Sequence, residues 1–211
     1  MRGGTVRRAL SALAAVAVLT LTSCYAPDNF TSELRLSRYG DYDLTFDGDL
    51  LYLPILYDYQ QGKVDPADEA RRLNEIRKDL IRDSAVKSAV SEGKGRFRVH
   101  YERMGRMGRD QLTAILRRDA RILMIKSEPD NRIIISANSL RPTDADAMTE
   151  AGYTMHGSFR ITTDANVVSN NATEVRPFGQ YKVYIWNIEN ALSPMPYLVM
   201  IRDPDPERPL P

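Results

Sequence analysis

Alternation of apolar and polar residues with a period of two is the most regular pattern in the chain. It spans residues 33–37 and 42–46, with Gly40 between them, and it returns in residues 96–102. This period places the apolar side chains on one face of a strand, and a glycine between two such runs signals a turn. The pattern predicts a hairpin and a further strand, each with one face toward solvent.

A second pattern, with apolar residues three and four apart, predicts helices. The clearest one has Asp65 as N-cap and Pro66 at its first helical position, and it is predicted to reach Asp83. A further helical piece is predicted to follow it as far as Gly93. Two other stretches are also predicted to be helical: residues 110–118 and 142–150.

The remaining apolar runs complete the predicted fold class. Residues 122–125 and 133–135 flank turn-forming residues and predict a hairpin covered on both faces. Residues 50–59 contain Pro54, and a strand end, a short helix and a hydrophobic flap all stay open for them. Three more strands are predicted at residues 153–163, 181–188 and 197–201. Strands in adjacent hairpins with segregated helices predict a single α+β domain with a largely antiparallel sheet.

The N-terminus has the layout of an export signal. Three arginines precede an apolar run at residues 9–22 that is too short to span a bilayer, and the only cysteine of the chain, Cys24, follows. The tetrad LTSC at residues 21–24 resembles the bacterial lipobox. The resemblance implies that residues 1–23 are a lipoprotein signal peptide and that Cys24 is the acylated first residue of the mature chain. An ordinary secretory signal with an incidental thiol is the alternative.

If Cys24 is the first residue of the mature chain, the sequence after it is predicted to have three parts. Residues 24–32 are predicted to be a tether, residues 33–202 an α+β envelope domain and residues 203–211 a disordered proline-rich tail. Removing the signal peptide leaves 188 residues, enough for one domain with a core, and changes the formal net charge from +1 to −2. We expect a chain anchored to the extracytoplasmic face of a membrane in the cell envelope, without disulfides and without affinity for nucleic acid.

Candidate catalytic and metal-binding residues are scarce. The sequence contains none of the motifs of serine hydrolases, phosphate-binding loops or zinc peptidases. His100 and His156 both fall on the polar phase of their strands. A calcium loop that places Asp47 at its fifth position would need a carboxylate where Pro54 stands. We therefore expect no enzyme activity, no metal site and no cofactor.

Basic residues concentrate in one part of the chain. Residues 94–126 carry ten Lys and Arg against three acids, a net charge of +7. A basic face beside a membrane anchor is suited to anionic headgroups, and each basic residue near such a surface contributes about 1 kcal/mol. An equally good interpretation is that these arginines solvate one sheet face and pair with acids elsewhere in the fold. The headgroup-binding candidates are Arg96, Arg98, Arg103, Arg106 and Arg109.

Residues 157–188, "GSFRITTDANVVSNNATEVRPFGQYKVYIWNI", carry a family resemblance. A strand leads into Asp164, asparagines follow, and a glycine turn precedes a strand that ends near Trp186. This order resembles the C-terminal part of the LppM-like domain of bacterial lipoproteins. The resemblance implies an α+β envelope domain that contacts lipids or glycolipids, and it brings no catalytic residues. The segment around residues 103–118 and the proline-rich tail have no counterpart in it.

These observations favour a non-catalytic, membrane-anchored envelope lipoprotein that binds an amphiphile or an anionic lipid surface. In this hypothesis residues 50–59 lie near acyl chains and the basic segment lies near headgroups. The alternative is a protein-interaction or assembly scaffold whose partner the sequence does not identify. An enclosed apolar cavity would favour the first function, and a solid core with an exposed apolar patch would favour the second.

Overall fold

The computed structural model describes residues 24–108, 111–116, 122–205 and 207, and these residues form two sheets and three helices. In chain order the elements are β1 (Tyr25–Leu36), β2 (Asp41–Tyr52), α1 (Leu53–Gln60), α2 (Pro66–Leu80), β3 (Val86–Gly93), β4 (Arg96–Arg106), β5 (Leu112–Ala114), β6 (Met124–Ser127), β7 (Arg132–Ser136), α3 (Pro142–Glu150), β8 (Gly157–Thr163), β9 (Asn166–Asn170), β10 (Glu174–Phe178), β11 (Tyr181–Ile188) and β12 (Tyr197–Ile201).

The larger sheet has seven strands in the order β10-β11-β8-β1-β2-β4-β3, and the smaller has five in the order β5-β6-β7-β12-β9. Within the described ranges the pair β1–β8 is parallel and the other pairs are antiparallel. The predicted α+β class with largely antiparallel sheet is confirmed. The strands β9 and β10, which the sequence analysis missed, are mostly exposed and lack an apolar face.

One hydrophobic core joins the inner face of the seven-stranded sheet to the five-stranded sheet and the helices. Its largest fully buried side chains are aromatic and come from the large sheet: Trp186, Tyr101, Phe46, Phe97 and Phe159. Side chains alternate between the two faces of a strand, so the same strands present their polar residues outward. The outer face of the large sheet is therefore a polar surface.

The predicted tether at residues 24–32 is wrong. Strand β1 begins at Tyr25, and its ladder with β2 runs from the pair Tyr25–Tyr52 onward. Ala26 and Phe30 are buried in the core. The period of two was hidden because the ladder shifts register between Asp28 and Thr31, where Asn29 has a φ of 44°. Such a bulge inserts one extra residue and breaks the alternation on which the prediction depended.

The predicted helical continuation to Gly93 is also wrong, because this segment is strand β3. It pairs antiparallel with β4, which already shows the alternation of a half-buried strand. Gly93, Lys94 and Gly95 all have positive φ and form the turn between the two strands. The glycine interpreted as a helix stop is thus part of a hairpin. The pairing of this segment with β4 at the edge of the sheet outweighs the helical spacing of its apolar residues.

Residues 110–118 were predicted to be helical, and the described part of them contradicts this. Leu112–Ala114 is strand β5, paired with β6, and its carbonyl at Ala114 accepts a hydrogen bond from the Tyr101 hydroxyl at 2.9 Å. Residues 110 and 117–118 lie outside the described residues. The predicted hairpin at residues 122–135 is confirmed as β6 and β7, but it is not covered on both faces, since Lys126 is exposed.

The helices follow their sequence signals closely. The Asp65 carboxylate caps α2 by accepting the Ala67 N–H at 2.9 Å, although the helix ends at Leu80 rather than at Asp83. Helix α3 has the predicted bounds. Residues 50–59 form the end of β2 and most of helix α1. Pro54 lies in the first turn of α1, where its missing N–H costs no hydrogen bond.

The predicted disordered tail is docked at its start. The Asp203 N–H donates to the Arg38 carbonyl at 2.8 Å, and the Asp205 carboxylate lies 3.1 Å from the Arg106 guanidinium. The folded region therefore extends beyond both bounds of the predicted domain, 33–202. The signal peptide at residues 1–23 and residues 206 and 208–211 lie outside the described part of the chain.

Candidate functional site

Cys24 stands at the edge of the folded domain. Its side chain is exposed and forms no disulfide, and its carbonyl accepts the Leu53 N–H at 3.0 Å, where α1 begins. Strand β1 starts at the next residue. A group attached to this thiol would therefore be joined to the large sheet without an intervening flexible segment.

An aromatic pair and a basic turn surround Cys24. The rings of Tyr25 and Tyr52 lie 5.1 Å apart, and the Tyr52 N–H donates to the Gly95 carbonyl at 2.8 Å. Gly95 belongs to the β3–β4 turn, whose tip carries the exposed Lys94. We call this set, Cys24, Tyr25, Tyr52 and Lys94, the anchor end.

The structure does not gather the predicted basic residues into one patch. Arg96 lies opposite Leu51 and so close to the anchor end, whereas Arg106 lies opposite Asp41 at the other end of β4. Ten residues of strand separate the two arginines by about 33 Å. Arg98 shares the outer face with Arg96, but Arg103 falls on the phase of the buried Tyr101 and points to the opposite face. Arg109 lies outside the described residues.

Each described arginine of the set has a carboxylate partner. Arg96 contacts Glu92 at 2.5 Å, and this hydrogen bond raises the pKa of Arg96. Arg103 contacts Asp83 at 2.7 Å, and Arg106 contacts Asp205. These contacts agree with the interpretation in which the arginines pair within the fold. As a headgroup-binding set the five arginines remain a prediction, and Arg96 and Arg98 are the two that lie near the anchor end.

Arg103 is also bound to a phenol. Its Nε donates to the Tyr101 hydroxyl at 2.7 Å, and its guanidinium carbon lies 5.7 Å from the Tyr101 ring centroid. Burial raises the pKa of Tyr101 to about 12, so the phenol stays neutral at physiological pH. Arg103 lines an open pocket of about 420 Å³ with Asp83 and Leu112. Since its charge is already paired, this pocket offers little to a headgroup.

Two buried acids escaped the sequence analysis. Asp49 is 2 % exposed and Asp28 is 6 % exposed, and they lie opposite each other on β2 and β1. Arg98 contacts the Asp49 carboxylate at 3.3 Å and Arg96 contacts it at 3.5 Å, while Asp28 accepts the His156 N–H at 3.1 Å. In the sequence Asp49 is one of four acids around Gly48, at residues 41, 43, 47 and 49. Nothing in its local pattern separates it from the exposed acids beside it.

The two histidines have different surroundings. His100 lies between Asp47 at 2.7 Å and Glu102 at 3.0 Å on the outer face, and the hydrogen bond with Asp47 raises its pKa. His156 is exposed and contacts the Thr154 hydroxyl at 3.1 Å. In the described ranges no group of three or more His, Cys, Asp or Glu side chains is placed to hold a metal ion.

The apolar residues of 50–59 are not available to acyl chains. Leu50, Leu51, Leu53, Ile55 and Leu56 are each at most 3 % exposed and belong to the core. The mechanism that placed them near acyl chains is therefore wrong. The run is apolar because it closes one end of the core, where the last residues of β2 pass directly into α1.

An open groove of about 740 Å³ lies on the outer face of the large sheet, at the end remote from Cys24. Phe178, Tyr181 and Val183 form its apolar wall, and Arg35 and Asp43 lie among its charged residues. Phe178 is 67 % exposed and Tyr181 is 37 % exposed. Sequence reasoning missed this wall because β10 was not predicted.

Asparagines at the base of the same hairpin have structural roles. The Asn170 side chain accepts the Ala172 N–H at 3.1 Å, so it caps its own turn. Asn171 accepts the Trp186 indole N–H and the Tyr197 N–H, both at 2.8 Å. The Asn171 contacts join the two sheets, and the Asn170 contact is a turn of the kind that asparagine favours.

Comparisons with known proteins found a likeness among solved structures only. No protein-family model matches the chain, and no curated protein matches it either. Among solved structures the chain is similar to the folded domain of LppM from Mycobacterium tuberculosis, determined by NMR. The identity is 12 %, the alignment covers 89 % of this chain and 95 % of that one, and the TM-score is 0.41. The likeness is one of distant fold, and nothing about a ligand follows from it.

None of the described helices is both long and apolar enough to cross a bilayer.

Proposed function

We propose that the chain is a non-catalytic envelope lipoprotein, anchored through an acylated Cys24, whose anchor end contacts lipid headgroups. The observation that carries the proposal is the position of Cys24, exposed and joined directly to β1. The lipobox-like tetrad at residues 21–24 supplies the chemistry, since lipid is attached to a thiol at this place in bacterial lipoproteins.

The direct junction determines which surface meets the bilayer. An acyl chain inserted in the membrane would hold the first residue of β1 at the headgroup layer. Tyr25, Tyr52 and Lys94 would then lie at that level, because Tyr52 pairs with Tyr25 and is hydrogen-bonded to the turn that carries Lys94. Tyrosine rings favour the interface between water and hydrocarbon, and a lysine there favours anionic lipid.

The headgroup contact is restricted to the near end of β4. Lys94 has no hydrogen bond or ion pair from its ammonium group among the described residues, and Arg96 and Arg98 are partly exposed beside it. Arg103 and Arg106 are too far along the strand to share the same membrane plane when β1 stands upright. The anionic surface is thus proposed to be recognised by a small basic rim around Cys24.

The test compares two exposed lysines on the same hairpin. Lys94 lies at the anchor end, whereas Lys87 lies at the other end of β3, about 18 Å along the ladder with β4 because β3 carries two register shifts. The chain from residue 24, with Cys24→Ser, should bind anionic vesicles more strongly than neutral ones at low salt. Lys94→Glu should weaken this binding about tenfold or more, since each charge near the surface contributes about 1 kcal/mol. Cosedimentation measures the bound fraction.

The matched control is Lys87→Glu, which changes the net charge equally. The two variants are compared at physiological salt, where Lys87→Glu should leave vesicle binding within about twofold of the unchanged chain, because the position lies about two Debye lengths of about 8 Å each from the surface. Equal effects of the two substitutions would show that only net charge matters. Absence of vesicle binding at low salt would refute the headgroup contact.

A second function, the assembly scaffold, is favoured by a separate observation. It needs an exposed apolar patch on a solid domain. Phe178 and Tyr181 supply such a patch at the far end of the large sheet. The same chain can be anchored at one end and bind a partner at the other.

A further inference from the structure

The outer face of the large sheet has a row of side chains that crosses five strands. The ladder pairs place Val183 beside Thr162, Thr162 beside Arg35, Arg35 beside Asp43, and Asp43 beside Met104. The row is apolar at both ends and charged in its middle. Phe178 and Tyr181 stand next to Val183 and extend one apolar end, and Met104, which is 76 % exposed, forms the other.

The spacing of the row suits an extended polypeptide. Four strand spacings separate Val183 from Met104, or about 19 Å. A peptide in the extended conformation covers this distance with six residue steps of about 3.3 Å, and its first, third, fifth and seventh side chains point the same way. An amphiphile has one apolar end, whereas this row has two. A segment with apolar residues at positions one and seven matches both ends at once.

The charges in the middle favour a segment of mixed charge. Arg35 and Asp43 are cross-strand neighbours, and neither side chain makes a hydrogen bond or ion pair with another described residue. Glu33 and Arg160, also in the groove, already contact each other at 3.4 Å. An acid at the third position and a base at the fifth would pair with Arg35 and Asp43, and opposite charges directly across favour binding.

The position of the row relative to Cys24 points to the same class of partner. The row crosses β1 at Arg35, ten residues after Tyr25, or about 33 Å from the start of the strand. With Cys24 held at a bilayer and β1 upright, the row faces the aqueous compartment. This step rests on the proposed anchor, but the spacing and the charges do not.

We propose that this row, Phe178, Tyr181, Val183, Arg35, Asp43 and Met104, binds an extended segment of a partner protein with apolar residues six positions apart and an acid and a base between them. The interaction makes the chain an anchored docking domain. Aromatic side chains are enriched among the residues that contribute most binding energy, so Phe178 and Tyr181, at one end of the row, are expected to be its hot spots.

The experiment uses fluorescently labelled heptapeptides and the chain from residue 24 with Cys24→Ser, in solution without lipid. The matched peptide has leucine at positions one and seven, glutamate at three and lysine at five, with serine elsewhere. Control peptides carry two glutamates or two lysines. Fluorescence anisotropy should give saturable binding of the matched peptide, at least tenfold tighter than either control.

The variants Phe178→Ser and Tyr181→Ser should each weaken binding of the matched peptide about tenfold. Leu192→Ser, at a position 75 % exposed and outside the row, should not weaken it.

A change of specificity separates recognition from unspecific adhesion. Asp43→Arg should transfer the preference to the peptide with two glutamates, because both central side chains of the row are then cationic. Absence of saturable binding by the matched peptide overturns the proposal. It is equally overturned if Phe178→Ser instead abolishes vesicle binding, which assigns the row to lipid, or abolishes self-association, which assigns it to a second copy. None of these readouts depends on acylation of Cys24, so a failure here is distinct from a failure of the anchor.

Discussion

Phe30 shows how strongly this fold depends on positions that carry no side chain. Its ring packs 5.7 Å from Phe46 and 4.8 Å from Phe159, and Gly48 and Gly157 lie against it. The register shift of β1, where Asn29 has a positive φ, lies immediately before Phe30 in the chain. The space that its backbone and ring occupy is available because both glycines lack a Cβ atom.

Gly48→Ala should therefore be costly. The added Cβ would overlap the Cβ of Phe30 and lie 2.7 Å from its Cα, and backbone cannot move aside as a flexible side chain can. We expect a loss of about 3 kcal/mol in the free energy of unfolding, the upper range for overpacked sites. Urea denaturation measures it. Gly62→Ala, where nothing lies within 4 Å but φ is +63°, should lose only about 1 kcal/mol from backbone strain. Similar losses at both positions would contradict this account of Phe30.

At the scale of elements, the sequence predicts segments whose own residues determine their conformation. Helix α3 and strands β11 and β12 have the predicted bounds, because Pro142 marks the start of the helix and both strands are rich in aromatic and β-branched residues. Strand β1 was mistaken for a tether because a bulge interrupts its period, and β3 for a helix because its pairing with β4 is a tertiary effect. The same distinction between local and tertiary features applies to the candidate site. Cys24 is visible in the sequence, whereas the row across five strands exists only once their register is known.

Helices α1 and α3 are joined by a buried polar contact. Asp144, which is 2 % exposed, accepts the Tyr57 hydroxyl at 2.5 Å and two hydrogen bonds from the Arg141 guanidinium at 2.8 Å. Burial by itself would raise the pKa of Asp144, but the hydrogen bonds from Arg141 and Tyr57 outweigh it and leave the pKa lowered. The carboxylate is thus held in its charged form.

Asp144→Asn should destabilise the domain by about 2 kcal/mol at neutral pH, less than the 3–5 kcal/mol of a fully buried pair because Arg141 is half exposed. A carboxyl whose folded pKa lies below its unfolded value stabilises above the unfolded pKa and loses this contribution as pH falls through the folded one. The difference from the unchanged chain should therefore shrink below about pH 4. Urea denaturation at neutral and acid pH measures it. Asp146→Asn, exposed on the same helix, should show neither effect.

At the scale of the whole molecule, the chain has two ends with different chemistry. Cys24, the tyrosine pair and Lys94 lie where β1 begins, and the exposed Phe178 and Tyr181 lie at the end where β1 finishes. An anchor joined directly to β1 would convert this polarity into an orientation, with one end at the bilayer and the other toward a partner. A tether of the kind first predicted would remove that relation, since a flexible link transmits no direction.

Inserting a flexible linker after Cys24 tests this relation. A Gly/Ser linker of about 16 residues has a root-mean-square length of about 22 Å, more than the separation of Lys94 and Lys87 along β3. In membranes carrying the unchanged chain, a water-soluble amine reagent should modify Lys94 several-fold more slowly than Lys87, because the headgroup layer shields the anchor end. With the linker, the ratio should approach that of the detergent-solubilised chain. Mass spectrometry of proteolytic peptides gives both rates. A Cys24→Ala chain, which has no thiol to acylate, should leave the membrane fraction. Equal rates at the two lysines before insertion would mean that the domain is not held upright by its first strand.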